Sequence, residues 1–186
     1  MASRTGFLVA CLLVTSVTLA GQSPPPVRGT MALEGTTDKV YAALRVVVVR
    51  TRDGVEHMIH FTRDLVLHGG KGPGVDAFVG LEEGTTVVVH YAVTNAEETA
   101  LEIDRVGDKG LQTTEGVAAD IDRRGRRITI KYANGQQEVM QLTPTVAAEA
   151  WRGLDEVSGA RDATKVVVYY TDEAGQKVAH YFKKTS

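Results

Sequence analysis

The chain has 186 residues, 43% of them hydrophobic and 24% charged, with a formal net charge of −2. A near-neutral balance with no basic block lacks the electrostatic footprint that nucleic acid or an anionic membrane demands. The single cysteine, Cys11, lies among the first twenty residues, which excludes disulfide scaffolds, thiolate catalysis, iron–sulfur clusters and cysteine-ligated zinc from the folded part.

Residues 1–21 predict a cleaved signal peptide, with Arg4 as its positive start, Phe7 to Val14 as its apolar centre and Thr18-Leu19-Ala20 as its small-residue end. The apolar part is too short to span a bilayer, which takes about 20 apolar residues, so no transmembrane segment is expected in the mature chain. Leu8-Val9-Ala10-Cys11 resembles a lipobox. It sits too near the start, with its apolar stretch behind it, so the expectation is a periplasmic or secreted protein that is not a lipoprotein. Residues 22–33, with Pro24-Pro25-Pro26, read as an extended linker.

Beyond the linker the chain repeats itself. Val166-Val167-Val168-Tyr169-Tyr170 echoes Val87-Val88-Val89-His90-Tyr91 at an offset of 79, ungapped from Thr85/Thr164 to Ile103/Phe182. Upstream, an offset of 81 pairs Glu34-Gly35 with Glu115-Gly116, Arg45 with Arg126 and Gly54 with Gly135. The pattern predicts an internal duplication, with a first β-barrel repeat at 34–107, a connector at 108–114 and a second repeat at 115–186. Five strands are expected in each, at about 116–122, 126–132, 136–142, 164–171 and 176–184 of the second. Asp53-Gly54 and Asn134-Gly135 predict type I′ turns between the second and third strands. Polar turns at Thr94 to Glu97 and Asp172 to Gln176 join the fourth and fifth.

Between the third and fourth strands the copies diverge. In the second, Thr143 can cap a short helix with Pro144 in its first turn and Gly153 at its end. In the first, His68-Gly69-Gly70-Lys71-Gly72-Pro73-Gly74 forms a loop. The expected fold class is therefore all-β: two tandem five-stranded small barrels, OB-like with an SH3-like competitor, and a short helix in the second repeat. Val46 and Val48 stand where the second repeat has Arg127 and Thr129, so the second strand of the first repeat is apolar on both faces. Something must cover its outer side, most simply the other barrel, otherwise a partner protein. Val88 and Val167 raise the same question for the fourth strands.

Histidine is the one soft metal ligand left. Of the five, His57 and His60 lie three apart on one strand and face opposite ways, so they do not share an ion. The ordinary expectation is solvated or rim histidines, with a His60/His68/His90 metal site as the sharper alternative. The glycine-rich loop with Lys71 lacks the Gly-Lys-Ser/Thr ending of a phosphate loop and reads first as a connector, second as a ligand-gripping loop. Acidic pairs such as Glu82-Glu83 and Asp172-Glu173 fall in turns, and none of Ser23, Ser158 and Ser186 has a nucleophile-elbow context. No catalytic set is expected, and no cofactor. Trp151, the single tryptophan, is expected to plug the second barrel, with a stacking platform as the alternative.

The order Glu-Gly, apolar strand, Asn134-Gly135, Leu142-Thr143-Pro144, Lys165 to Tyr170 and Val178 to Phe182 resembles the small OB-like β-barrel domains of unknown function found in exported bacterial proteins. The resemblance covers 34–186. It implies a non-catalytic periplasmic or secreted module and transfers no functional residues. The expected function is a binding or scaffold module of the envelope with an unknown protein partner. The alternative is a small-ligand or metal binder using the loop at 68–74 with His60 or His90.

Overall fold

A computed structural model describes residues 30–69, 81–122, 124–146 and 164–185. The expected signal peptide, Lys71 with most of its glycine-rich loop, and Trp151 lie outside the described residues. The chain is all-β. Its strands are β1 (Thr30–Tyr41), β2 (Val46–Thr51), β3 (Glu56–His68), β4 (Thr86–Thr94), β5 (Glu97–Arg105), β6 (Gln112–Asp122), β7 (Arg127–Lys131), β8 (Gln137–Leu142), β9 (Thr164–Glu173) and β10 (Gln176–Lys184). A 3-10 turn at Ala42–Leu44 separates β1 from β2. Because β1 begins at Thr30, strand already occupies the last residues assigned above to the linker.

The strands form two five-stranded sheets, and each closes on itself. In the first sheet the order is β1-β2-β3-β5-β4, and in the second the strands of the same rank follow the same order. Closure needs one parallel contact in each. It is made by β3 with β5, where His68 lies opposite Asp104, and by β8 with β10, where Gln141 lies opposite Val178. Among the described residues the other strand-to-strand pairings are antiparallel.

One long strand serves two neighbours in each sheet. β1 pairs with β4 through Thr36 and with β2 from Gly35 onward, and β6 behaves likewise around Gly116. At that handover the strand passes directly over the next strand's side chain. A Cβ on Gly35 would sit 2.6 Å from Val49 Cγ1 and 2.7 Å from the Arg50 carbonyl oxygen, and one on Gly116 would meet Ile130 and the Lys131 carbonyl in the same way. Both glycines are therefore packing requirements.

The turn chemistry differs from the expectation between the second and third strands of each sheet, while the expected polar turns do join the fourth and fifth. At Asp53-Gly54 and Asn134-Gly135 only the glycine has positive φ, 87° and 84°. A type I′ turn needs both central residues there. The hydrogen bonds Gly54 N–H to Thr51 O, 2.9 Å, and Thr51 N–H to Val55 O, 2.9 Å, define instead a type I turn followed by a left-handed glycine. The two-residue loops with both residues left-handed are Asn95-Ala96, at 52° and 65°, and Ala174-Gly175, at 51° and 82°. They close the β4–β5 and β9–β10 hairpins, as the pairings Thr94 with Glu97 and Glu173 with Gln176 require.

Strand alternation sorts the side chains. From β4, Val87, Val89 and Tyr91 enter the first core with Val47, Val49, Ile59, Phe61, Ala100 and Ile103. From β9, Val166, Val168 and Tyr170 enter the second with Ile128, Ile130, Met140 and Ala179. The outward residues Val88 and Tyr169 meet each other and Leu111, with Val106, Val167 and Tyr181 packed around them, in a third cluster between the sheets. Val88 and Val167 thus find their cover within the chain. Val46 and Val48 are buried too, but among the described residues they do not belong to that cluster.

The connector is held tightly, since the Leu111 amide donates to the Arg105 carbonyl at 2.7 Å and the Gly107 amide to the Leu111 carbonyl at 2.9 Å. A polar seam adds to the junction. Tyr169 donates its hydroxyl proton to Glu34 Oε1 at 2.6 Å, and Lys183 bonds the same carboxylate. Burial and that carboxylate push the Tyr169 hydroxyl well above the ordinary phenol range. Of the helix expected after β8, the described part opens at Pro144, with Thr143 Oγ1 accepting from the Val146 amide at 3.2 Å.

Candidate metal centre

Beside the apolar junction the outer face of the first sheet turns polar. On β5, Ile103 points into the core, so Glu102 and Asp104 point outward on either side of it. On β3, Leu67 leans on the core and His68 points out, level with Asp104. On β4, His90 lies opposite Glu102. The second sheet supplies His180 from β10. Its neighbours in register are Ala179 with Tyr170 and Tyr181 with Tyr169, which leaves His180 as the extra residue of a β-bulge. A bulge locally redirects its strand, and here the redirected side chain reaches the first sheet.

His68, Glu102, Asp104 and His180 each offer a donor atom, and the four atoms lie within 4.8 Å of one another. His68 Nδ1 is 2.6 Å from Asp104 Oδ1 and 3.1 Å from Glu102 Oε1. His180 Nδ1 is 3.3 Å from Glu102 Oε1 and 3.6 Å from Asp104 Oδ2. The two rings meet edge to face at 5.1 Å. A tetrahedral ion with bonds of about 2.1 Å separates its donors by about 3.4 Å, so three of these four separations already match.

Burial makes the cluster costly as it stands. Asp104 has a side chain 0% exposed, His180 is 3% exposed, and His90 is 1% exposed. Asp104 Oδ2 is buried without a hydrogen-bond partner, although His90 Nε2 lies 3.8 Å away. A buried carboxylate oxygen that accepts no hydrogen bond is costly for a fold to keep, even with imidazoles nearby. The His68 side chain, 41% exposed, is the cluster's solvent side.

The charges answer one another. Hydrogen bonding to Asp104 and then to Glu102 pushes His68 up to about 10. Burial opposes protonation of His180, yet Asp104 and Glu102 still raise it to about 9. Burial likewise works against the Glu102 carboxylate, but hydrogen bonds from His180 and His68 outweigh it and hold that group well below the usual carboxylate range. Within the four donors alone, two imidazolium protons therefore balance two carboxylates, with His90 further drawing on Glu102. A dication on neutral imidazoles balances them equally, so exchanging two protons for one divalent metal leaves the cluster's charge unchanged.

The outer partners suit the same exchange. Thr171 donates its one hydroxyl proton to Glu173 Oε1 at 2.9 Å, so toward His180 Nε2, 3.0 Å away, it can only accept. That places a proton on Nε2 and leaves Nδ1 of the neutral ring as a lone pair facing the carboxylates. A ligating histidine is commonly oriented in this way by a hydrogen bond from its other ring nitrogen.

No protein-family model matches this chain, and no curated protein shows significant similarity to it. The site must speak through its geometry.

Among the residues singled out from sequence, His68 and His90 come together at this site. His60 does not: it lies on the exposed middle of β3, opposite Val46 and Thr99. His57 is bound elsewhere, to Glu98 at 2.9 Å. The expectation of solvated or rim histidines fails for His90 and His180. Glu102 and Asp104 were missed by sequence reasoning. Their one local signal is the alternation Glu102-Ile103-Asp104, two carboxylates on one face of an otherwise core-forming strand.

Proposed function

We propose that this chain is an exported, non-catalytic binding module of two OB-like barrels that holds a divalent transition metal at the junction between them. The observation that carries the reading is the buried Oδ2 of Asp104, which accepts no hydrogen bond, within a set of two imidazole and two carboxylate donors. Mixed nitrogen and oxygen donors suit zinc, nickel, cobalt or copper(II); calcium prefers six to eight oxygens. Four protein donors close a tetrahedral shell, the habit of a structural site, whereas catalytic sites keep a position for water or substrate.

The OB-like assignment is supported by five strands closing through a parallel third–fifth contact, with the one long insertion after the third. An origin by duplication is supported by features that keep the sequence offsets. Arg45 and Arg126 are both left-handed at φ 53° and 50°. Gly35 and Gly116 occupy the same handover, and bulges fall at Leu101 in one hairpin and His180 in the other. The contact His57–Glu98 has its counterpart in Glu138–Lys177, with the acidic partner on the other strand. Export rests on the leader-like residues 1–21, and a cysteine-free mature chain is consistent with histidine and carboxylate as the available ligands.

The test is titration of the purified, chelator-treated protein with Zn²⁺, Ni²⁺, Co²⁺, Ca²⁺ and Mg²⁺ by calorimetry. We expect one equivalent of a transition metal to bind, neither Ca²⁺ nor Mg²⁺ to compete, and Asp104→Asn to weaken binding by about a hundredfold. Absence of uptake, or uptake indifferent to Asp104→Asn, reduces the cluster to an ion-pair network. A protein partner is the second reading, motivated by Met58, 62% exposed, beside exposed Val55 on the outer β2–β3 surface. Sedimentation showing only monomer, with no partner retained on purification, counts against it.

A further inference from the structure

The provenance of the four donors carries a further step, which rests on the metal-binding reading. His68, Glu102 and Asp104 all belong to the first sheet, on β3 and β5. Among the described residues His180 is the cluster's one donor from the second, delivered by the bulge in β10. We propose that the bound metal is a tie between the barrels: it joins a three-ligand site on one barrel to a single histidine of the other, so that the two unfold as one unit when it is bound.

The rest of the junction shows why such a tie has work to do. Its apolar part consists of Val88, Leu111 and Tyr169, with Val106, Val167 and Tyr181 half-buried around them. Each barrel has a separate core of its own. Contacts on this scale resemble those between domains that move relative to one another. Across the seam the two carboxylates of the first sheet face the single imidazole of His180, a buried polar contact whose desolvation cost offsets much of its attraction. A metal held by these four donors makes coordinate bonds to both sides of the seam. Linkage then runs both ways: docking raises metal affinity by adding the fourth donor, and metal strengthens docking by the same factor.

This arrangement makes the roles of the ligands unequal. Loss of Asp104 removes a donor from the first-barrel half-site. Loss of His180 leaves that half-site intact, able to hold metal more weakly but with nothing to transmit across the junction.

The measurement is hydrogen exchange read by mass spectrometry on the full chain, with ZnCl₂ or with chelator. It compares peptides from the first core (β2, β3) with peptides from the second (β7, β8). In wild-type protein, zinc is expected to slow exchange in both cores and to merge two thermal transitions into one. In His180→Ala and in His180→Gln, whose amide keeps a hydrogen bond within reach of Thr171, zinc should bind about 10- to 100-fold more weakly. At saturating zinc it should protect only the first core. Circular dichroism identifies a variant that has lost its fold, and the glutamine variant then decides. Zinc uptake by wild type that protects the first core alone overturns the tie and leaves the metal site standing. The tie is also overturned if the second core keeps its full protection in both His180 variants. No zinc uptake by wild type overturns site and tie together.

Discussion

Leu111→Ala is expected to lower unfolding stability by about 3 kcal/mol, within the range of about 2–5 kcal/mol typical for truncating a fully buried leucine. Leu111 is 0% exposed, yet it belongs to neither barrel's own core. It sits at the end of the connector, pinned by backbone hydrogen bonds to Arg105 and Gly107, and packs between Val88 of β4 and Tyr169 of β9. Little relaxation can fill the space it would leave. The residues on each side are valines and tyrosines anchored in closed sheets, and the connector is too short and too tightly bonded to collapse inward. Leu44→Ala is the control: the same change at a residue 71% exposed should move stability by less than about 0.5 kcal/mol. Denaturant midpoints of the two variants decide. If they coincide, the interface between the sheets does not form in solution. If Leu111→Ala is the costly one, the junction is an established part of the fold before any metal binds.

Much of this architecture is legible in the residues themselves. The second hairpin and the strands β7 and β8 fall within a residue or two of their expected limits, because period-two apolar runs bounded by glycine turns leave few other readings. The outward valines Val88 and Val167 announce a covered face, and the face is covered. What escapes is whatever depends on closure. The parallel approach of β3 to β5 brings His68 beside Asp104 over a separation of 36 residues, and no local spacing encodes it. The bulge that aims His180 is equally silent, because its sequence, Ala179-His180-Tyr181, reads as ordinary alternation. Both Glu102 and Asp104 look like solvent-facing strand residues until a second sheet is laid against them. His90 looked like a substitutable surface position because its counterpart is Tyr169, although the two occupy matching outward places on strands that meet at the same junction. A site assembled from three separate strands of two sheets leaves no motif of the kind that a single loop or helix displays.

In the presence of chelator the protein should be most stable in mildly acidic solution and lose stability on both sides. A histidine whose folded pKa is raised contributes stability that is fully present below its unfolded value of about 6.5 and is lost as the pH climbs through the folded one. For His180 the loss therefore spans roughly pH 6.5 to about 9, and for His68 roughly 6.5 to about 10. A single fully coupled group gives a slope of at most about 1.4 kcal/mol per pH unit. The two histidines share Glu102 and Asp104 as partners, so their contributions do not add. His68 is also screened by solvent on its open side, which makes buried His180 the larger contributor. Glu173 Oε1, 3.8 Å from His180 Nε2, favours the same charged form from the other side of the ring. On the acid side the sign reverses. The depressed Glu102 contributes stability above its ordinary pKa that is lost as the pH falls through its folded value. Urea unfolding from about pH 2 to pH 10 follows the alkaline arm in full and the acid arm below Glu102's ordinary pKa, and His180→Gln should flatten the alkaline one. A chelated wild-type protein equally stable at pH 6.5 and pH 9, or a His180→Gln variant that keeps the full alkaline loss, would show that these imidazoles are not held as cations by the carboxylates. Zinc changes the shape of the curve, because coordination needs the imidazoles deprotonated. The stability it adds should grow over the interval in which the metal-free protein weakens, so the gap between the zinc-loaded and chelated curves is smallest in mild acid and widest near pH 9.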